Sequence, residues 1–222
     1  SMKNYEELVP ILVKKVMDEL LHTEPFKYVV PIGISNRHVH LKRDDVEILF
    51  GPGYELTKLK ELKQTGEFAC VETVTLMTTI QGKERILENV RILGPIRPKS
   101  QVEISKTEAR FLKVSPPVRN SGDLKGSEKI TLLGPKGRVD LEEGLILATR
   151  HIHLSEEDAK RLQLQSGDRV SVEVQGEKPG RLDEVHCKVH KNYVLELHLD
   201  TDDGNAFLLE TGAKARILPP NK

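Results

Sequence analysis

The chain has 222 residues and a mass of 25.0 kDa, room for about one large domain or two small ones. Lys plus Arg and Asp plus Glu each number 34, and the zero net charge argues against a nucleic-acid partner; with five Phe, four Tyr and no Trp, platforms for stacking bases are not expected either. No run of about 18 apolar residues exists, so no membrane partner is expected.

Ser1 before Met2 reads as an expression-tag scar, and the charges spread through residues 3–22 exclude a signal peptide. Residues 5–21 read as an amphipathic helix, with Leu8, Leu12, Val16 and Leu20 at i, i+4 spacing, beside Val9, Val13 and Met17. Such a helix packs on the body or on a second copy of the chain, or serves as a docking peptide. Pro10 is expected in its first turns.

After Tyr28 the pattern is mostly β. Tyr28–Ile34 is apolar and β-branched. Residues 71–80 and Glu84–Leu93 flank the turn Gln81-Gly82-Lys83 as a hairpin. Val102–Ser105, Lys129–Leu133, Arg169–Val174, Glu184–Val189, Tyr193–Leu199 and Ala213–Leu218 are further strand candidates. Gly-Pro and Pro-Pro pairs punctuate them, as short barrels require.

An internal repeat organises the chain. Residues 36–49 (NRHVHLKRDDVEIL) and 149–162 (TRHIHLSEEDAKRL) share Arg-His-(Val/Ile)-His-Leu, an Asp four residues on and a Leu four further. Each copy reads as a strand end carrying His-x-His, a short helix, a glycine turn and more strand. Ser155 with Asp158 marks a helix start. The expected fold is mainly β: two similar small β-barrel domains capped by short α-helices, with the N-terminal amphipathic helix. The boundaries read as 1–25 for the helix, 26–37 plus 149–222 for a discontinuous first barrel, and 38–148 for the second.

Eight His against two Cys (Cys70 and Cys187) exclude a disulfide scaffold, point to a reducing cytoplasmic setting, and leave imidazole and carboxylate to hold any metal. In a strand, residues i and i+2 share a face, so His38 converges with His40 and His151 with His153, while Val39 and Ile152 face the core. On a helix the pairs would diverge. Two such pairs in one frame point to metal, although lone histidines are often structural. Zinc suits imidazole, with copper, nickel and iron open. Two ligands do not fill a zinc site. His198, on the face opposite Leu197 and Leu199 and next to a polar loop at 200–205, is the best further candidate, against a plain surface histidine. Glu103 is weaker, being compatible with an ordinary half-exposed strand. His186 and His190 read as exposed hairpin residues, and His22 as a helix-end residue. A His-rich, Cys-poor set suggests open, catalytic metals.

The runs VPIGISNRHVHL, GPGYELTKLKEL, EFACVETVTL, RILGPIRPKSQVEIS, PPVRNSGDLKGS, TRHIHL and LHLDTDDGNA together resemble the PduL-type phosphotransacylases (phosphate propanoyltransferases), from about Val30 to Leu218. The resemblance implies two β-barrels holding two zinc ions between them. It implies reversible transfer of a short acyl group, propanoyl or acetyl, between coenzyme A and inorganic phosphate. It makes His38, His40 and Glu103 ligands of one zinc and His151, His153 and His198 ligands of the other. It makes Arg97 the phosphate-contacting arginine, a role suited to a planar guanidinium fork. Ser35, Lys60, Arg91 and Asn205 would line the coenzyme A groove, Lys60 and Arg91 serving its phosphates. It further suggests a homo-oligomer, a role in propanediol degradation, and work in the cytoplasm or inside a bacterial microcompartment shell. Microcompartment members carry an encapsulation peptide before the first helix, whereas here the chain starts almost at that helix. Other readings of the same residues are a zinc hydrolase of thioesters or phosphoesters and a non-catalytic metal-binding assembly module.

Overall fold

The computed structural model describes residues 2–20, 22, 23 and 27–218. The readings that fall on Ser1, on residues 21 and 24–26 and on 219–222 lie outside the described residues. In chain order the elements are α1 (Met2–Leu20), β1 (Val29–Ser35), β2 (His38–His40), α2 (Arg43–Phe50), β3 (Lys58–Glu61), β4 (Phe68–Ile80) and β5 (Lys83–Gly94). There follow β6 (Gln101–Glu103), α3 (Lys106–Leu112), β7 (Val118–Arg119), β8 (Glu128–Leu133), β9 (Arg138–Ala148) and β10 (His151–Leu154). The chain ends with α4 (Glu156–Leu162), β11 (Arg169–Val174), β12 (Gly180–Val189), β13 (Glu196–Asp200), α5 (Thr201–Ala206) and β14 (Lys214–Leu218). The fold is mainly β, with two six-stranded barrels.

The chain forms two compact units. One takes the residues up to Gly33, His151–His198 and Phe207 onward; the other takes Ile34–Arg150 and Leu199–Ala206. Residues 34–37, 149–150 and 199–206 thus cluster with the second unit, unlike the boundaries read from sequence. Hydrogen bonds explain the last segment. Asp202 accepts from the Thr107 amide (2.9 Å) and hydroxyl (2.7 Å), and the Arg150 guanidinium grips Asp203 at 2.8 and 2.9 Å.

In the first unit the ring runs β1-β13-β10-β12-β11-β14. Alternation drives it: Val170, Val172 and Val174 of β11 are buried, as are Ile152 and Leu154 of β10. The α4 helix starts where Ser155 accepts from the Asp158 amide. In the second unit β4-β5-β2-β6-β9-β8 closes on itself through the β8–β4 pairing, with β3 and β7 flanking the ring. Its core packs Val39, Leu41, Leu49, Leu76, Ile92, Val102, Leu112, Leu132 and Leu145.

The two rings repeat one local pattern. Each His-x-His strand is central, parallel to one neighbour (β2 to β5, β10 to β12) and antiparallel to the other (β2 to β6, β10 to β13).

Several elements differ from the sequence reading. The sequence reading assigns no strand to β9, which carries Gly144 at φ +143, where an added Cβ would lie 3.1 Å from the Ser100 carbonyl oxygen. Residues 201–206 form α5 rather than a loop, and β13 begins at Glu196, so Tyr193 precedes the strand. Ser105 caps α3 with a reciprocal Glu108 box. Pro10 sits inside α1, and the apolar residues Leu8, Leu12, Val16 and Leu20 of that helix are exposed.

Candidate metal centres

Both His-x-His segments are extended, as convergence of their rings requires. Val39 and Ile152 between them are fully buried. In the second unit His38 stands opposite Glu103 and His40 opposite Gln101 in the β2–β6 ladder. His38 Nε2 lies 2.7 Å from Glu103 Oε2, and His40 Nε2 lies 3.3 Å from the same oxygen. His38 Nδ1 donates to the Asn36 carbonyl (2.8 Å), which fixes the ring and leaves Nε2 toward the carboxylate. Burial alone would lower the His38 pKa; the Glu103 carboxylate overrides it and holds the ring above its usual value. Burial dominates at His40, lowered to about 4. Burial would raise Glu103, but His38 and His40 hold it well below the carboxylate range.

In the first unit His151 stands opposite His198 and His153 opposite Glu196 in the β10–β13 ladder. Ring centroids are 4.8 Å apart for His151–His153 and His151–His198, and 4.5 Å for His153–His198. Tyr193 stacks on His153 at 4.1 Å. Burial lowers His153 to about 3, with the neighbouring His198 adding to it, so the ring is neutral at neutral pH.

Each triad brings its ligand atoms within 4.8 Å of one another. His40 Nδ1, His153 Nδ1 and His198 Nε2 are buried with no hydrogen-bond partner. Buried ring nitrogens are normally satisfied, so these orphans, together with the N/O donor chemistry, fit a divalent transition metal.

Ser35, Lys60, Arg91, Arg97 and Asn205 fall in the second unit. Arg91 stands opposite His38 on β5, and its guanidinium donates to the Cys70 and Val71 carbonyls at 3.0 and 2.9 Å. Arg97 is tied by its amide to the Leu41 carbonyl (2.9 Å); its guanidinium donates to Ser121 Oγ (3.0 Å) and pairs with Glu67 (3.2 Å). Its charge opposes protonation of both His38 and His40, although Glu103 still holds His38 above its usual value. Ile34 packs on Gly204, which brings the chain at Ser35 near the chain at Asn205, itself exposed. Lys60 is exposed on β3, two strands from Arg91. His186 is half-buried opposite His151 rather than on an exposed hairpin, and His190 Nδ1 accepts from the Asn192 amide.

Sequence reasoning passed over a polar scaffold. Gln101, buried, donates to Glu103 (3.2 Å) and to Ser121 (3.0 Å), so one amide links the Arg97 support to a triad carboxylate. Glu196, also buried, lies with Oε1 2.9 Å from His198 Nε2, off the line along which a ring N–H would donate. The available signal was strand period: Gln101 and Glu196 each precede a candidate ligand by two residues.

A family model for phosphate propanoyltransferase matches residues 31–210. A phosphate propanoyltransferase of Thermotoga maritima is 48% identical over 87% of this chain and 90% of its own length. Those of Lachnoclostridium phytofermentans and Salmonella typhimurium are 46% and 44% identical, each over 97% of this chain and 99% of the relative.

Proposed function

Since the chain belongs to the phosphate propanoyltransferase family and is thereby a phosphate acyltransferase, we propose that it moves a propanoyl or acetyl group reversibly between coenzyme A and inorganic phosphate, using two zinc ions. His38, His40 and Glu103 would hold one ion, and His151, His153 and His198 the other. The observation that carries this reading is the repeated ladder of imidazoles with orphaned buried nitrogens, one copy lying within the field of Arg97.

When bound, such ions polarise the thioester carbonyl and stabilise the departing thiolate. The protein supplies the rest. Arg97, oriented by Ser121 and Glu67, grips phosphate by its guanidinium fork. A phosphate oxygen attacks the acyl carbon; the new C–O bond forms, the C–S bond breaks, and the electron pair leaves on the coenzyme A sulfur. Ser35, Lys60, Arg91 and Asn205 serve coenzyme A, the two cations facing its phosphates. Neither cysteine is placed to carry the acyl group. Burial pushes the Cys70 thiol up to about 11 and Cys187 up to about 12, so both remain protonated at neutral pH. Transfer is therefore direct, through a ternary complex.

No helix among the described residues is long and apolar enough to cross a membrane. The chain is assigned to the cytoplasm or a microcompartment lumen, with the exposed stripe of α1 as the surface for a second copy or a shell. The test is metal analysis followed by initial rates of coenzyme A release from acetyl-, propanoyl- and butanoyl-coenzyme A. Release that requires phosphate, yields acyl phosphate and gives intersecting double-reciprocal lines is expected. Release at the same rate without phosphate would make the protein a thioester hydrolase.

A further inference from the structure

We propose that Glu196 is the counter-charge of the second metal centre, a buried carboxylate beside His198 that offsets the charge of the bound ion. The inference rests on the two-centre reading above.

The argument starts from register. In the β2–β6 ladder a two-by-two block faces one way: His38 opposite Glu103, His40 opposite Gln101. In the β10–β13 ladder the corresponding block is His151 opposite His198 and His153 opposite Glu196. Gln101 and Glu196 therefore occupy the same place, across from the second histidine of the pair and two residues before the third ligand. Each reaches that ligand. Gln101 Nε2 donates to Glu103 Oε2 at 3.2 Å, and Glu196 Oε1 sits 2.9 Å from His198 Nε2. The chemistry is inverted to match: where the third ligand is a carboxylate its support is an amide donor, and where it is an imidazole its support is a carboxylate.

Charge gives the second reason. The first triad includes one carboxylate; the second is three imidazoles, neutral when they ligate. A divalent ion in the second triad would be a buried double charge without a counter-charge from its ligands. Glu196, 6% exposed and 2.9 Å from His198, brings a carboxylate beside it. The fold makes room for this carboxylate. A Cβ on Gly33 of β1 would lie 2.8 Å from Glu196 Cδ and Oε2, so only glycine leaves the side chain where it is.

The experiment uses the full chain, stripped and reloaded with cobalt(II), in two backgrounds. His38→Ala leaves the second centre alone to be read, and His153→Ala leaves the first. Affinity is measured by chelator competition, and ligand geometry by the cobalt absorption bands. In the His38→Ala background, Glu196→Gln should weaken cobalt binding about 10–100-fold and shift the bands. Gly33→Ala, which keeps the carboxylate but pushes it aside, should do the same. In the His153→Ala background both substitutions should leave affinity within about twofold, which excludes a general loss of fold. The inference is overturned if Glu196→Gln changes second-centre affinity less than about threefold. Equal weakening in both backgrounds, or a loss far beyond 100-fold that makes Glu196 a ligand itself, overturns it too. A chain that takes up no cobalt in the His38→Ala background overturns the two-centre reading, a failure distinct from that of Glu196 alone.

Discussion

Substitution of Arg97 by alanine separates anion recognition from folding and from metal binding. The side chain is 29% exposed and its partner Glu67 33%, so their ion pair is worth at most about 1 kcal/mol after solvent screening. The bond to Ser121 Oγ adds about 1 kcal/mol. The fold should therefore lose no more than about 2 kcal/mol in urea unfolding. Gln101 keeps its own bonds to Ser121 and Glu103, so the first metal centre should stay loaded. Catalysis should suffer more. Removing a placed donor from a developing anion costs about 2.7–4 kcal/mol, a factor of about 100–1000. That loss is expected in kcat/KM for phosphate. Arg97→Lys should recover part of it, because an ammonium keeps the charge but cannot span Ser121, Glu67 and the anion together. The assay is initial-rate release of coenzyme A with phosphate varied, beside metal content on the same samples. Wild-type kcat/KM in Arg97→Ala, or parallel loss of metal, would refute the assignment.

Glu72 accepts from the Tyr54 hydroxyl (2.9 Å) and the Thr57 amide (2.9 and 3.0 Å); burial would raise its pKa, but these bonds lower it from 4.5. Its contribution is complete above pH 4.5 and disappears as pH falls through the lower folded value. Glu72→Gln should thus cost about 1–2 kcal/mol at pH 7, with the gap to wild type closing in unfolding curves below pH 4.5; a gap independent of pH would contradict the sign. Ile152→Ala empties a fully buried site between His151 and His153 and should cost about 2–5 kcal/mol in urea unfolding; less than 1 kcal/mol would mean the strand repacks freely. Cys187→Ala and Cys70→Ala should each keep at least about half of wild-type turnover, since neither thiol is ionised. Abolished turnover in a folded, metal-loaded variant would restore a covalent route.

Local rules carry far in this chain. The His-x-His pairs read as pincers because extended backbone repeats every two residues, and Val39 and Ile152 are buried as that period demands. Ser155 caps α4 because an oxygen there meets an unsatisfied amide, a contact three residues away. The repeat itself predicts two like barrels, since equal patterns bury equal faces. The resemblance to phosphate propanoyltransferases rests on such contiguous runs.

What tertiary structure decided lies across the ladders. That Glu103 stands opposite His38, 65 positions away, and Glu196 opposite His153 depends on register. A slip of one residue would turn both carboxylates to the other face, and no local pattern fixes it. The same holds for β9, a strand the sequence reading does not assign, whose hydrogen bonds come from neighbouring strands. It holds for α5, a six-residue helix kept by Thr107 and Arg150 rather than by its own propensity. Sequence alone determined which residues are able to ligate, because strand period and residue chemistry are local. Pairing of distant strands decided which polar groups support them, because hydrogen bonds between strands form only after the barrel closes.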